Sequence, residues 1–419
     1  MQSREWQMGA PIVSYWAGPM PMTEAAARQM AEGNWNLAWC TGQGAAPGDI
    51  EHYRRQLDII QWHGLRAIVS SPLFNPATLD TPEEKAKLDA FVEGVRDHPA
   101  VYGYHFKDEP NASAFPALAR MKAYLDEKDP SRLKYVNLLP NYASAKQLGT
   151  EGDPVHLEAY EEHVRRFVEV FKPQLLSYDH YHFAVEGDGD KYFLNLAQIR
   201  HAALEAGIPF MVIVQACSWT VKMRIPTGNE VRWLANTTLA YGSQGISYYV
   251  YGYPEHDGAM MNLVDGSPTP LYHFVKEVNK EFLALAGELK SLKSIAVYHA
   301  GMLPEGTTQL PADAPFRLEP PVPPKECSPG NPVEGYVIGY FGEEQSPTHA
   351  LVVNLDYRTY SGAGHPRREE FLGAVPRSCV GPGQLEVYDA STGDWTTTDS
   401  STVELRLPPG GALLTRLAR

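Results

Sequence analysis

Between about residue 10 and residue 290, eight short apolar runs alternate in strict order with stretches of helical periodicity. This alternation constrains the fold more than any other feature of the chain. It implies βα units and a parallel sheet, because each amphipathic helix must cover a sheet face before the next strand returns in the same direction. The strand candidates fall at 11–18, 34–40, 65–71, 101–107, 133–139, 175–181, 210–217 and 245–251. Thr23 reads as the N-cap of the first helix. Ile50, Tyr53, Leu57 and Ile60 line one face of the second until Gly64 stops it. Pro82, Glu83 and Glu84 open the third, which closes at His98-Pro99, and further helices are expected at about 114–127, 155–171, 191–206, 229–241 and 271–288. Eight such pairs predict a closed (β/α)8 TIM barrel rather than an open doubly wound sheet. Neither GxGxxG nor GxxxxGK[ST] occurs, so no nucleotide cofactor is expected, nor any other.

Past residue 290 helical periodicity gives way to short β runs between Pro- and Gly-rich turns: SIAVYHAG, GYVIGYFG, HALVVNLDY, GQLEVYD, STVELRL and GGALLTRL. They predict a C-terminal antiparallel β-sandwich. The stretch from about 303 to 333, with six prolines between Pro311 and Pro324, is expected to be an extended connection. The domain reading is therefore a catalytic barrel at 1–290 and an accessory sandwich at 291–419.

Lysines and arginines number 36 against 50 acids, a net charge of −14 that repels nucleic-acid phosphates and anionic membrane surfaces. No apolar run approaches the ~18 to 20 residues of a membrane span, and the opening MQSREWQMGA lacks the apolar core of a signal peptide. Cytoplasmic and exported locations are both compatible with these features, and oligomeric state is not fixed by them. Cys40, Cys217, Cys327 and Cys379 form no CxxC pair, so buried thiols are expected, with a Cys327–Cys379 bridge as the one pairing considered.

In a barrel the reactive groups project from the C-terminal ends of the strands. Strand four ends in VYGYHFKDEPN, which offers His105, Lys107, Asp108 and Glu109 before Pro110 ends the pairing. Glu109 is the best acid in the chain; a Lys107–Asp108 ion pair that only braces the barrel mouth is the structural alternative. Strand six ends in SYDHYHF, with Asp179, His180, Tyr181 and His182. His180 and His182 suggest a metal only if His105 or Asp179 converges on them, and sugar hydrogen bonding or packing is the expected role. Strand seven ends in Gln215 and is followed by Trp219. Strand eight delivers Tyr249, Tyr251 and Tyr253, then the loop acids Glu255 and Asp257. Strands one and two add Tyr15, Trp16, Trp35 and Trp39.

Aromatic faces beside carboxylates suit pyranose rings, which present an apolar C–H face and a rim of hydroxyls. Trp16, Trp219, Tyr251, His105, Lys107, Asp108, His180, His182, Gln215 and Glu255 are the expected substrate contacts. Glycosidic cleavage needs two carboxyl groups. Glu109 fills the acid's role if burial or a second carboxylate raises its pKa. Asp179 is the first choice for its partner, with Glu255 and Asp257 as loop alternatives. Strand six is not adjacent to strand four, so a water-sized gap between the two carboxyls, and with it inversion, is expected.

At these residues the chain resembles the (β/α)8 glycoside hydrolases of clan A, most nearly the family 42 β-galactosidase group. GYHFKDEP matches the family's strand-four end in its Glu and Pro. RIPTGNEVRWLANTTLAYGSQGISYYVY, leading into DGSPTPLYHFVKEVN, is similar to the strand-eight region. The resemblance spans about residues 10 to 290 and implies that Glu109 is the acid/base. Two positions depart from it. Asp108 stands where the family has Asn, and Gln215 stands where it has its nucleophilic Glu. A different second carboxylate, an engineered Glu-to-Gln change, or a barrel that binds sugar without cleaving it would each account for Gln215. The leading expectation is a hydrolase of polysaccharides or oligosaccharides. A polysaccharide lyase, with Lys107, His182 or a tyrosine abstracting the C5 proton of a uronide, is the other enzymatic alternative.

Overall fold

The computed structural model describes residues 6–150, 156–343, 346–358 and 377–418. All eight expected parallel strands are present: β1 (Ile12–Tyr15), β2 (Leu37–Thr41), β3 (Arg66–Ser70), β4 (Val101–Asp108), β5 (Leu133–Asn137), β6 (Leu176–His180), β7 (Phe210–Gln215) and β8 (Gly245–Tyr249). They form two four-stranded parallel sheets, ordered β2-β3-β4-β5 and β6-β7-β8-β1. The sheets meet through a parallel bridge between Leu138 and Tyr178, where Leu138 N–H donates to Ser177 O at 2.8 Å, and through Asn36 N–H to Val13 O at 3.1 Å. Every residue of β1, β5, β6 and β7 is buried, the pattern of parallel strands covered on both faces. Ile12, Leu37, Ile68, Tyr102, Leu133, Leu175 and Met211 build one apolar cluster from strands of both sheets and the approach to β6. This strand order is compatible with a TIM barrel.

The helices alternate with the strands as their boundary chemistry dictates. Thr23 Oγ1 accepts from Ala26 N–H at 3.2 Å and starts Glu24–Glu32. Ile50–Trp62 begins on Asp49 and gives way to Gly64 at φ +75°, a conformation that costs glycine little. Pro82 sits in the first turn of Pro82–Val95. Phe115–Lys128, His156–Phe171, Tyr192–Ala206, Gly228–Ala240 and Pro270–Leu289 follow.

The chain divides into two compact units. The first comprises Met1–Tyr181, Gln198–Trp219 and Gln244–Lys276 and contains all eight parallel strands. The second comprises His182–Ala197, Thr220–Ser243 and Glu277–Arg419. Its strands are antiparallel. A six-stranded sheet runs in the order Lys293–Gly301, Gly335–Glu343, Ser346–Asn354, Ala412–Leu417, Leu385–Asp389, Asp394–Thr397. A three-stranded sheet runs Arg317–Glu319, Ser378–Val380, Thr402–Glu404. Phe316, Leu318, Ile338, Val352, Cys379 and Leu385 share one core drawn from both sheets, as a sandwich requires.

Two expectations for this unit are corrected. The Pro-rich stretch is not merely a connection: Arg317–Glu319 pairs with Ser378–Val380, because Phe316 and Leu318 supply apolar side chains that the core buries. Cys327 and Cys379 form no bridge; Cys379 lies in the core while Cys327 is exposed, and both are free thiols. Among the described residues no helix is long and apolar enough to cross a membrane.

Candidate active site

Strand β4 reaches the site through an irregularity. Its register against β5 shifts between His105 and Lys107, so Phe106 is an extra residue and the strand end is re-aimed. Pairing runs on past Asp108, since Glu109 N–H donates to Asn137 O at 2.8 Å. Glu109 itself has φ +43°, a left-handed conformation that costs a non-glycine residue about 1 kcal/mol or more and recurs where a side chain must be aimed. Pro110 follows and is buried.

Asp179, near the end of β6, is 2% exposed. A side-chain hydrogen bond joins it to Glu109. Asn137, the last residue of β5, lies between the two outer strands and ties them together. Its Nδ2 donates to Asp179 Oδ1 at 2.9 Å and to Asp108 Oδ1 at 3.2 Å, and its Oδ1 accepts from Ser177 Oγ at 3.0 Å. The water-sized gap expected between Glu109 and Asp179 is therefore absent: the single strand between β4 and β6 is spanned by one asparagine, and the carboxyls touch.

The electrostatics follow from this crowding. Asp179 is held well above the carboxylate range, first by burial and then by the charges of Glu109 and Asp108. Glu109 is also raised, by desolvation. Asp108 keeps a solvent-facing edge, yet the protein around it and the neighbouring Glu109 push it up to about 6. Like charges at hydrogen-bond separation disfavour ionising together, which pushes the pair toward its protonated forms.

An aromatic wall stands at the same strand ends. Tyr181, Trp219 and Tyr249, each half-buried, meet ring to ring at 4.7 Å for Tyr181–Trp219, 5.0 Å for Tyr181–Tyr249 and 5.1 Å for Trp219–Tyr249. The charges of Asp108, Glu109 and Asp179 reach Tyr249, and that of Asp179 reaches Tyr181. Tyr249 Oη lies 3.0 Å from His256 Nε2, and Tyr142 Oη accepts from Tyr181 N–H at 3.3 Å. Tyr142, from the loop after β5, is 45% exposed.

The other expected residues are distributed as follows. His180 is buried against Tyr142 at 5.0 Å. Gln215 ends β7 fully buried, its Nε2 donating to Cys217 O at 3.4 Å. Trp16 packs edge-on to Trp39 and His105 at 4.9 and 5.4 Å. His105 is held neutral by burial, its pKa lowered to about 4, with Ser70 Oγ at 3.2 Å from its Nδ1. Lys107 is exposed. Glu255 and Asp257 lie on an exposed loop whose Asp257 backbone exchanges hydrogen bonds with Ser218 at 2.8 Å each way. Tyr251 is fully buried among Tyr15 and Trp35 and donates to Gln29 Oε1 at 2.6 Å, away from the carboxyls. His182 belongs to the second unit, stacked on Trp233 at 5.0 Å. Among the described residues no group of three or more His, Cys, Asp or Glu side chains converges to hold a metal. Asn137 and Tyr142 were invisible to a reading confined to charged strand ends; the only available signal was that β5 also ends in polar residues, Asn137 and then Asn141 and Tyr142.

The fold is one found in glycoside hydrolases. The β-galactosidase from Rahnella sp. R3 superposes over 72% of this chain and 59% of its own, with a TM-score of 0.51 and 12% identity. The β-galactosidase from the psychrophilic Marinomonas ef1 aligns over 70% of this chain and 62% of its own, with a TM-score of 0.48 and 12% identity. This chain thus spans less than two thirds of either protein. No protein-family model matches the sequence, and no curated protein matches it.

Proposed function

We propose that the chain is a glycoside hydrolase, a closed (β/α)8 barrel related to the family 42 β-galactosidase group, with Glu109 as general acid. The observation that carries this reading is the contact between the Glu109 and Asp179 carboxyls beside half-buried aromatic rings at the strand ends. The upward shift of both groups favours a proton on the pair, and Glu109 delivers it to the glycosidic oxygen as the C1–O bond breaks. Asp179 takes up negative charge as that proton leaves and faces the cation developing at C1. Trp219, Tyr181 and Tyr249 form the platform for a sugar ring, and Asp108 and Lys107 supply polar contacts at its edge. Residues 1–290 are the catalytic part in this proposal and 291–419 the accessory part.

A panel of polysaccharides and oligosaccharides, followed by product analysis, tests the reading. New reducing ends without near-ultraviolet absorption are the expected products. An absorbing unsaturated uronide would establish a lyase instead. Gln215 favours one second reading, a barrel that binds sugar without cleaving it; measurable binding with no turnover on any glycan would establish that role and end the hydrolase proposal.

A further inference from the structure

Three carboxyl groups crowd the site, and none stands where a protein nucleophile would attack. Gln215 ends β7 with an amide, which has no anionic oxygen to bond to C1. Asp179 touches Glu109, and a group in hydrogen-bond contact with the proton donor lies on the donor's side of the scissile bond, not the roughly 5 Å or more across it that either two-carboxylate mechanism uses. Asp108 is tied to the same side by Asn137. The attacking atom must therefore come from elsewhere.

Asp179 supplies the second observation. Its Oδ2 is buried and has no N–H or O–H donor among the described residues. Glu109 is the neighbouring carboxyl, and any proton the two share departs with the leaving group. A buried carboxylate oxygen bared at that moment needs a donor, and an unmet one costs about 1 to 3 kcal/mol or more. A donor that gains positive charge in the same step would be stabilised most.

We infer that the substrate is a 1,2-trans glycoside of a 2-acetamido sugar, that its own acetamido oxygen is the nucleophile, and that Asp179 receives the acetamido N–H. This inference rests on the hydrolase reading and names its substrate class. In the first step the carbonyl oxygen forms a bond to C1, the bond from C1 to the leaving oxygen breaks, and Glu109 gives its proton to that oxygen. The sugar is left as an oxazolinium ion whose N–H carries part of the positive charge and faces Asp179. Water then attacks C1 from the face the leaving group vacated, and Glu109 takes its proton. The bond from C1 to the carbonyl oxygen breaks, which restores the acetamide and Glu109. The anomeric configuration is retained. Only a 1,2-trans glycoside lets the acetamido oxygen approach opposite the leaving group. Asn137 holds Asp179 for the N–H, and the Tyr142 hydroxyl stands beside the carboxyls as an O–H donor for the acetamido oxygen.

The test uses the whole chain with 4-nitrophenyl β-glycosides of N-acetylglucosamine and N-acetylgalactosamine, their 2-hydroxy counterparts, and oligosaccharides of both kinds. Acetamido substrates should be cleaved at least ~10²-fold faster in kcat/KM. Mono-, di- and trifluorination of the acetyl group should lower the rate progressively, because fluorine withdraws electrons from the attacking oxygen; mere recognition of the group would not produce that slope. Cleavage of 2-hydroxy substrates at equal or greater rate, or a flat response to fluorination, overturns the inference and leaves the hydrolase reading in place. No cleavage of any glycan in either set overturns both.

Discussion

Asn137 Nδ2 lies 2.9 Å from Asp179 Oδ1 and donates to it, fixing the buried carboxylate from the neighbouring strand. The same nitrogen reaches Asp108 Oδ1 at 3.2 Å, so one amide sets the spacing of carboxyls carried by β4 and β6. Donation to a carboxylate favours its charged form, and here it opposes the upward push of burial.

Replacing Asn137 by Ala should therefore raise both aspartates further. The kcat/KM profile against pH should move to higher pH as a whole, with turnover lowered about 10-fold through lost positioning. A variant that loses rate with an unshifted profile would show Asn137 to be structural only.

Asp108 gives a stability prediction. It titrates near 3.8 in the unfolded chain and at about 6 in the folded one, so the folded chain binds more proton between those values. The contribution is fully present below pH 3.8 and is lost as pH rises through about 6. Asp108→Asn should remove this cost. Its Tm should exceed that of the parent at pH 7 by roughly 2 °C, on the order of 1 kcal/mol once solvent screening is allowed for, and should match it near pH 3.5. Equal Tm values at pH 7 would contradict the raised pKa.

Gln215 is fully buried at the end of β7, opposite Tyr249 in the ladder. With the nucleophile supplied by the substrate, Gln215→Glu should bring no large gain in turnover, and burying a new carboxylate there should lower Tm. A gain of ~10²-fold or more, with the first product retained in configuration by NMR, would mark the parent as a silenced version of the family mechanism.

Much of this architecture was legible in the sequence. Eight strand positions could be read because apolar runs of four to eight residues, punctuated by Thr23, Gly64 and Pro82, leave few alternatives to βα units. The strand Arg317–Glu319 was not, since prolines on both sides masked two apolar residues that only a partner strand makes meaningful. Lys107, Asp108 and Glu109 stood out because consecutive charges at a strand end have few structural uses. Their closeness to Asp179 was hidden, as it depends on a register shift at Phe106 and on the reach of Asn137 across β5. Tyr251 misled because β8 ends at Tyr249, so the two-residue period that would put both rings on one face no longer holds; Tyr249 lies beside the carboxyls and Tyr251 packs against Trp35.

The proton on Glu109 is tested most directly by comparing Glu109→Gln with the parent on two leaving groups of one sugar. On an oligosaccharide, whose alkoxide leaves poorly, the variant should lose at least ~10²-fold in kcat, the usual worth of general acid catalysis. On the 2,4-dinitrophenyl glycoside, whose phenolate leaves without protonation, the loss should be several-fold smaller. Near-normal kcat of the folded variant on the oligosaccharide would contradict the role of Glu109 as the acid.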